Sequence, residues 1–231
     1  EENVLPDLNL VDFAFGYAYL EFEDRYMRLP NYFFFDTYGS LFNKITPRDE
    51  VYRKTRFCNY IYSNPTPDPM RQQLFAKLNA YSLVHSHGTH LRNAESLQTA
   101  TGVAGWHKAK MEILRQYKFT NVCENSSSPG YTTEKIVDAL AADTIPIYWG
   151  NPHIERDFNP ERLIDVHSYP SLDAVVQCVK QLNEDPGHFQ AVLEKPMFTE
   201  ANLTQSPSRE KFDAFVDHVL STPTPIRNRA V

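Results

Sequence analysis

The 231-residue chain predicts an α/β fold, a parallel sheet with helices on both faces. Three observations predict it. Between about residues 55 and 170, strand-like and helix-like stretches alternate as β-α-β-α-β-α-β-α-β, the pattern of a parallel sheet. Residues 119–150, FTNVCENSSSPGYTTEKIVDALAADTIPIYWG, read as one complete βαβ unit, whose crossover is expected to be right-handed. A hydrophobic content of 42% with 13% aromatics supplies a sizeable core. The length allows one large domain or one and a half.

In chain order, residues 1–50 are aromatic-rich and irregular. Leu10 to Phe15 is a candidate short strand, and Pro30 ends a mixed acidic and aromatic stretch that begins at Tyr17. Asn31 to Tyr38 is dense in aromatics, and residues 43–50, with Pro47, read as a linker. This segment holds too few elements for a domain of its own and must pack on the rest of the chain or on something beyond it. The expected division is therefore 1–50 and 51–231. Arg56 to Tyr62 is a strand, broken by Ser63-Asn64-Pro65. Pro69 to Ala80 has a helical period with proline at its start. Ser82 to His85 is a short strand, and Gly88 to Gly105 a loop long enough to suggest function. His107 to Tyr117 is helical, with Met111 and Leu114 on one face.

Next come the strand Phe119 to Cys123, a helix from Thr132-Thr133 to about Ala142, and the strand Thr144 to Trp149. His153 to Phe158 reads as a helical turn and Arg162 to Val166 as a strand. Ser171 is a candidate N-cap for a helix to about Asn183. Asp185-Pro186-Gly187 reads as a turn, and Pro186 to Lys195 and Ser208 to Leu220 as amphipathic helices. The tail from Ser221 is expected to fray.

Composition narrows the function. The net charge is −6 and no basic stripe with interleaved aromatics occurs, which argues against a nucleic-acid binder. Cys58, Cys123 and Cys178 are widely spaced and are expected as free, buried thiols. No run approaches the ~20 apolar residues of a membrane span, and no signal peptide is visible. The sequence begins at Glu1 rather than methionine.

In a βαβ unit, ligands gather at the carboxyl ends of the strands beside a helix N-terminus. The free N–H groups and positive dipole end there suit a phosphate. Lys135 in the first turn is unusual, because the dipole alone favours an acid. A multiply charged anion between the lysine and the backbone explains it, such as the pyrophosphate of a nucleotide sugar. Pairing of Lys135 with Asp138, one turn on, is the blander account and the one favoured by this helix start taken in isolation.

At this point the residues carry a resemblance. ENSSSPGYTTEKIVDALAADTIPIYWGNPHIERDFNP resembles the donor-binding signature of the α1,3/α1,4-fucosyltransferases: E-N-S, then G-Y-x-T-E-K-I, I-P-I-Y-W-G-x-P and D-F-N-P. The resemblance extends over Phe57 to Lys77, where Ser63-Asn64-Pro65 precedes Arg71. It also covers NLVDFAFGYAYLEFEDRYMRLP (9–30), similar to the family's D-Y-A-I-G-F-D and R-Y-x-R-x-P stretches.

The resemblance implies a GT-B enzyme, with two Rossmann-like domains facing across a cleft. It implies an inverting transfer of fucose from GDP-fucose to a glycan hydroxyl, O3 of N-acetylglucosamine or glucose. Residues 51–231 would be the donor domain and 1–50 the end of the acceptor-side domain. Carried over by position, Arg71 and Lys135 contact the diphosphate and Glu134 the ribose hydroxyls. Asn125 and Tyr131 line the donor pocket, and Glu2 is the general base. The chemistry suits these residue types: two cations stabilise the negative charge growing on the leaving GDP, and a carboxylate takes the acceptor proton. No Asp-x-Asp occurs, so neither a metal nor another cofactor is expected. The family carries a longer acceptor-side segment ahead of Glu2, so a fragment, a shortened homologue, or a preceding segment that was cut off or lies in another chain is expected. A transferase of another nucleotide sugar and a nucleotide-sugar-binding module without turnover are the rival readings.

Other features have blander accounts. Asn125-Ser126-Ser127 and Asn202-Leu203-Thr204 are glycosylation sequons, accidental if the first faces a donor. His85, His87 and His90 do not match a zinc spacing and read as part of a polar loop. Cytoplasmic or peripheral inner-membrane residence follows if the source is bacterial, with possible peripheral membrane contact. The Golgi lumen follows if the chain is cut from a eukaryotic enzyme.

Overall fold

The computed structural model describes residues 5–46, 54–64, 66, 68–97 and 104–223. Among them a five-stranded parallel sheet forms from β3 (Arg56–Tyr60), β4 (Val84–Ser86), β5 (Tyr117–Cys123), β6 (Ile145–Trp149) and β7 (Ile164–Asp165). Its spatial order is β4-β3-β5-β6-β7. The order reverses between β3 and β5, and a crevice at such a switch point is where this kind of sheet binds ligands. Every residue of β6 is buried, as expected of a strand covered on both faces. Pro146 has no N–H to give, and pairing with β7 begins only at Ile147.

Helices cover both faces. On one, Leu74 and Leu78 of α2 (Pro69–Tyr81), Val175 and Val179 of α5 (Leu172–Glu184) and Phe189 of α6 (Pro186–Leu193) pack on Phe57, Phe119 and Ile147. On the other, Met111 and Leu114 of α3 (Trp106–Leu114) join Ile136, Val137 and Leu140 of α4 (Glu134–Ala141). Tyr32, Tyr38 and Leu41 belong to this second core. The amino-terminal segment thus packs on the sheet domain, through a short helix α1 (Asp36–Ser40) and the turns before it. Two further helices, α7 (Glu200–Gln205) and α8 (Arg209–Ser221), follow.

Several boundaries differ from expectation, each for a local reason. The first strand is Ala14–Gly16 rather than 10–15, and it pairs in parallel with β2 (Tyr26–Arg28), apart from the main sheet. Residues 7–12 turn instead. The Asp7 carboxylate accepts the Asn9 amide, and the Arg25 guanidinium donates to the carbonyls of Leu8, Val11 and Asp12. Helix α3 stops at Leu114, because Tyr117 already pairs with Arg56 in the sheet. Asp185 is not only a turn residue. Its carboxylate accepts the His188 N–H and caps α6, with Pro186 opening the helix. The expected strand at 162–166 shrinks to two residues between 3₁₀ turns. Helix α7 was not anticipated; a reciprocal capping box between Thr199 and Asn202 starts it. That bond, and donation from Asn202 Nδ2 to the Glu155 carbonyl, bury the second sequon asparagine. All three cysteines are free; Cys58 and Cys123 are buried and Cys178 is partly so.

Candidate functional site

The carboxyl end of β5 runs straight into Glu124 and Asn125, and the Glu124 N–H still pairs with the Trp149 carbonyl of β6. Glu124 is fully buried. Its carboxylate accepts the Thr133 N–H at 2.8 Å, the Thr133 hydroxyl at 2.8 and 3.0 Å, and the Lys135 ammonium at 2.9 Å. The anion at the start of α4 is therefore supplied by the chain itself. Neither sequence explanation of Lys135 anticipated this. Asp138 is not its partner. That carboxylate is buried against Lys110 at 2.7 Å, Thr37 at 2.9 Å and His107 at 3.0 Å. Burial works against the Lys135 charge, yet Glu124 and then Glu134 more than offset it, so its pKa lies above the ordinary lysine value.

Gly150 makes room for this carboxylate. A Cβ there would lie 2.5 Å from Glu124 Cγ and 2.8 Å from the Tyr148 hydroxyl oxygen. Gly150→Ala is expected to lower stability by about 1–3 kcal/mol, the usual overpacking cost, and to displace Glu124. Urea unfolding checks this; an unchanged midpoint would show that the carboxylate has room to move.

Arg71 reaches the same point from the first turn of α2. Asp68 caps that helix by accepting the Met70 N–H, and Pro69 opens it. The guanidinium is fully buried. Its Nη2 donates to the carbonyls of Cys123 (3.1 Å) and Glu124 (2.9 Å) and to Asn125 Oδ1 (2.8 Å). The Tyr62 ring lies 4.0 Å beneath it. Nε and Nη1 are buried without a partner among the described residues. Both cations predicted to hold a diphosphate thus meet on Glu124, at the β3–β5 switch point.

The other expected residues gather around them. Asn125 is held by Arg71, and Tyr131 is buried with its ring edge-on to Tyr17, centroids 5.4 Å apart. Glu134 is half-buried at the first position of α4. The pocket that Lys135 lines with Tyr62, Lys110 and Asn121 holds only about 20 Å³, far below the ~300–1,000 Å³ of a ligand pocket. Glu2, the expected general base, lies outside the described residues.

Besides Glu124, three residues of this neighbourhood were not singled out from sequence. Asn151 is fully buried; its Oδ1 accepts the Gly130 N–H at 2.8 Å. Asp157 holds Arg28 in a bidentate pair at 2.6 and 2.8 Å. Asn151 and Asp157 stand inside the quoted signature, and Arg28 inside R-Y-x-R-x-P, so the signal was the motif itself. The three histidines are not gathered as ligands. Both ring nitrogens of His87 are taken, by the Glu95 carbonyl and the Tyr117 hydroxyl at 2.7 Å each, and His90 meets Gln72.

The profile of glycosyltransferase family 10 (fucosyltransferase), C-terminal part, matches residues 51–209. The chain belongs to this family. The family's N-terminal profile, that of α-(1,3)-fucosyltransferase FucT, matches residues 1–35 of this family 10 chain. Its relatives include α-(1,3)-fucosyltransferase FucT of Helicobacter pylori, 30% identical over 260 residues, covering 96% of the chain and 52% of the relative. An α-(1,4)-fucosyltransferase of Arabidopsis thaliana is 29% identical over 129 residues, covering 51% of the chain and 32% of the relative. A crystal structure of an α1,3-fucosyltransferase with GDP-fucose superposes with a TM-score of 0.80 at 28% identity, over 97% of the chain and 74% of that protein. The expected α/β architecture of GT-B type is therefore shown. The chain spans about half the length of the Helicobacter relative. Among the described residues no helix is long and apolar enough to cross a membrane.

Proposed function

We propose that this chain is the donor-binding part of a fucosyltransferase that transfers fucose from GDP-fucose to a glycan hydroxyl. The observation that carries the reading is the meeting of Arg71 and Lys135 on Glu124 at the switch point, with two Arg71 donors unpartnered among the described residues. A diphosphate offers oxygens to both cations. Its negative charge grows as the bond to fucose C1 breaks, and charge-assisted hydrogen bonds that strengthen with it lower the barrier. Glu134, at the head of α4, faces the ribose hydroxyls; Asn125 and Tyr131 shape the pocket. The acceptor hydroxyl attacks C1 from the opposite face and inverts it, and Glu2 takes the proton. The acceptor atom is O3 of N-acetylglucosamine or glucose, and residues 1–50 are the end of the acceptor-side domain. The family resemblance supports these finer assignments.

Incubation of the chain with GDP-fucose and N-acetyllactosamine is expected to release GDP in proportion to acceptor. Binding of GDP-fucose without acceptor-dependent release would favour the binding module. Glu2→Gln is expected to lower turnover by about 10²–10⁴-fold, the scale of general-base catalysis, while leaving GDP affinity unchanged. Turnover that survives this change would remove Glu2 as the base.

A further inference from the structure

The loop that carries Tyr131 is held from outside its own βαβ unit. Gly130 has φ +83°, and a Cβ there would lie 2.3 Å from the Tyr17 carbonyl oxygen, so the backbone of residue 130 rests directly on the amino-terminal segment. The Arg28 guanidinium spans the same junction. Its Nε donates to the Tyr17 carbonyl at 2.8 Å, its Nη2 reaches the Gly130 carbonyl at 3.4 Å, and both terminal nitrogens grip Asp157. The pair is largely shielded, with side-chain exposures of 19% and 3%.

Asp157 links on to the loop through Asn151. The Asn151 amide nitrogen donates to Tyr19 Oη at 2.9 Å, Thr132 Oγ1 at 3.3 Å and Asp157 Oδ2 at 3.4 Å, while its oxygen receives the Gly130 N–H. Tyr19 is clamped between two guanidinium groups, Arg28 at 4.1 Å and Arg156 at 3.9 Å from its ring centre. Residues 130 and 132 are thus both tied to this network, and they flank Tyr131.

We propose that Arg28 is a positioning residue for the donor site. Through Asp157, Asn151 and Tyr19 it sets the conformation of loop 126–132 and so tunes nucleotide affinity without touching the nucleotide. This rests on the donor reading above. A bidentate fork is needed, because a single ammonium cannot hold both Asp157 oxygens and the Tyr17 carbonyl in one plane. The arrangement also makes the donor loop sensitive to the placement of residues 17–28, which lie on the acceptor side of the chain in the reading above.

The test is calorimetric titration of the full chain with GDP, for the parent and for Arg28→Lys, Tyr19→Phe and Val179→Ala. Val179 lies in the opposite core and serves as a stability control. Arg28→Lys is expected to weaken GDP binding at least tenfold and Tyr19→Phe three- to tenfold. Val179→Ala should stay within twofold of the parent even though its unfolding midpoint falls as far or further. If Arg28→Lys does not fold, Tyr19→Phe decides. GDP affinities within twofold of the parent for the folded network variants overturn the proposal, as does an equal loss in Val179→Ala. A parent chain that does not bind GDP sinks the donor reading itself, and this proposal with it.

Discussion

Lys135→Ala is expected to bind GDP about 100-fold more weakly than the parent. Two effects add. The lost charge-assisted bond to a phosphate is worth about 1.5–3 kcal/mol, and each 1.4 kcal/mol is tenfold in affinity. The truncation also strips Glu124 of its only cationic side-chain partner in the described residues, leaving a buried carboxylate facing an incoming diphosphate. Glu124 keeps both bonds from Thr133, and Lys135 is 20% exposed. The stability loss should therefore be about 2 kcal/mol, below the ~3–5 kcal/mol of a fully buried broken pair. Adding Glu124→Gln to Lys135→Ala removes the repulsion, so the double variant should recover part of the lost affinity. Calorimetry with GDP on all three proteins decides. Equal affinity in the parent and Lys135→Ala would refute the phosphate role, and a double variant weaker than the single would refute the repulsion.

Arg71→Lys is expected to fold but to lose at least ~10-fold in GDP affinity. The three acceptors now served by Nη2 lie close together, at 2.8–3.1 Å from one nitrogen. A lysine ammonium has three protons and could satisfy them, but nothing would then remain for a ligand. The guanidinium keeps Nε and Nη1 in reserve. Arg71→Ala should be worse in a different way: it leaves the carbonyls of Cys123 and Glu124 without this donor, opens a cavity over the Tyr62 ring, and costs about 3–5 kcal/mol. Urea unfolding and GDP titration of the two variants separate the roles. Parental GDP affinity in a folded Arg71→Lys would confine Arg71 to holding the end of β5.

Much of the site could be read from the chain because its residues are adjacent in sequence. The signature from Glu124 to Pro160 carries strand end, loop, helix start and second strand end, and a βαβ unit brings these together by local geometry alone. That is why the motif could nominate Asn125, Tyr131, Glu134 and Lys135 together through the resemblance it carries, and why the parallel sheet with helices on both faces was expected. Periodicity also located the larger helices, since each buries one apolar face. Boundaries failed where a single side chain overrode the pattern. Arg25 turned residues 7–12 away from strand geometry, and Asp185 converted an expected turn into a helix cap.

What the sequence by itself determined, then, is the α/β class, the βαβ unit at its centre and the family resemblance carried by its motifs. Only the tertiary structure decided what each charge faces. The sequence offered Lys135 two partners, a bound anion and Asp138 by helical spacing, and the fold supplied a third, Glu124, eleven residues upstream. It seats that carboxylate on Gly150, where no Cβ intrudes. It also brought Arg28 to Asp157, 129 residues apart in sequence, so that the loop before α4 is braced by the chain's first segment. Such pairings follow from crossing strand ends and shared burial, where an unpaired charge is too costly to leave, and no local pattern encodes them.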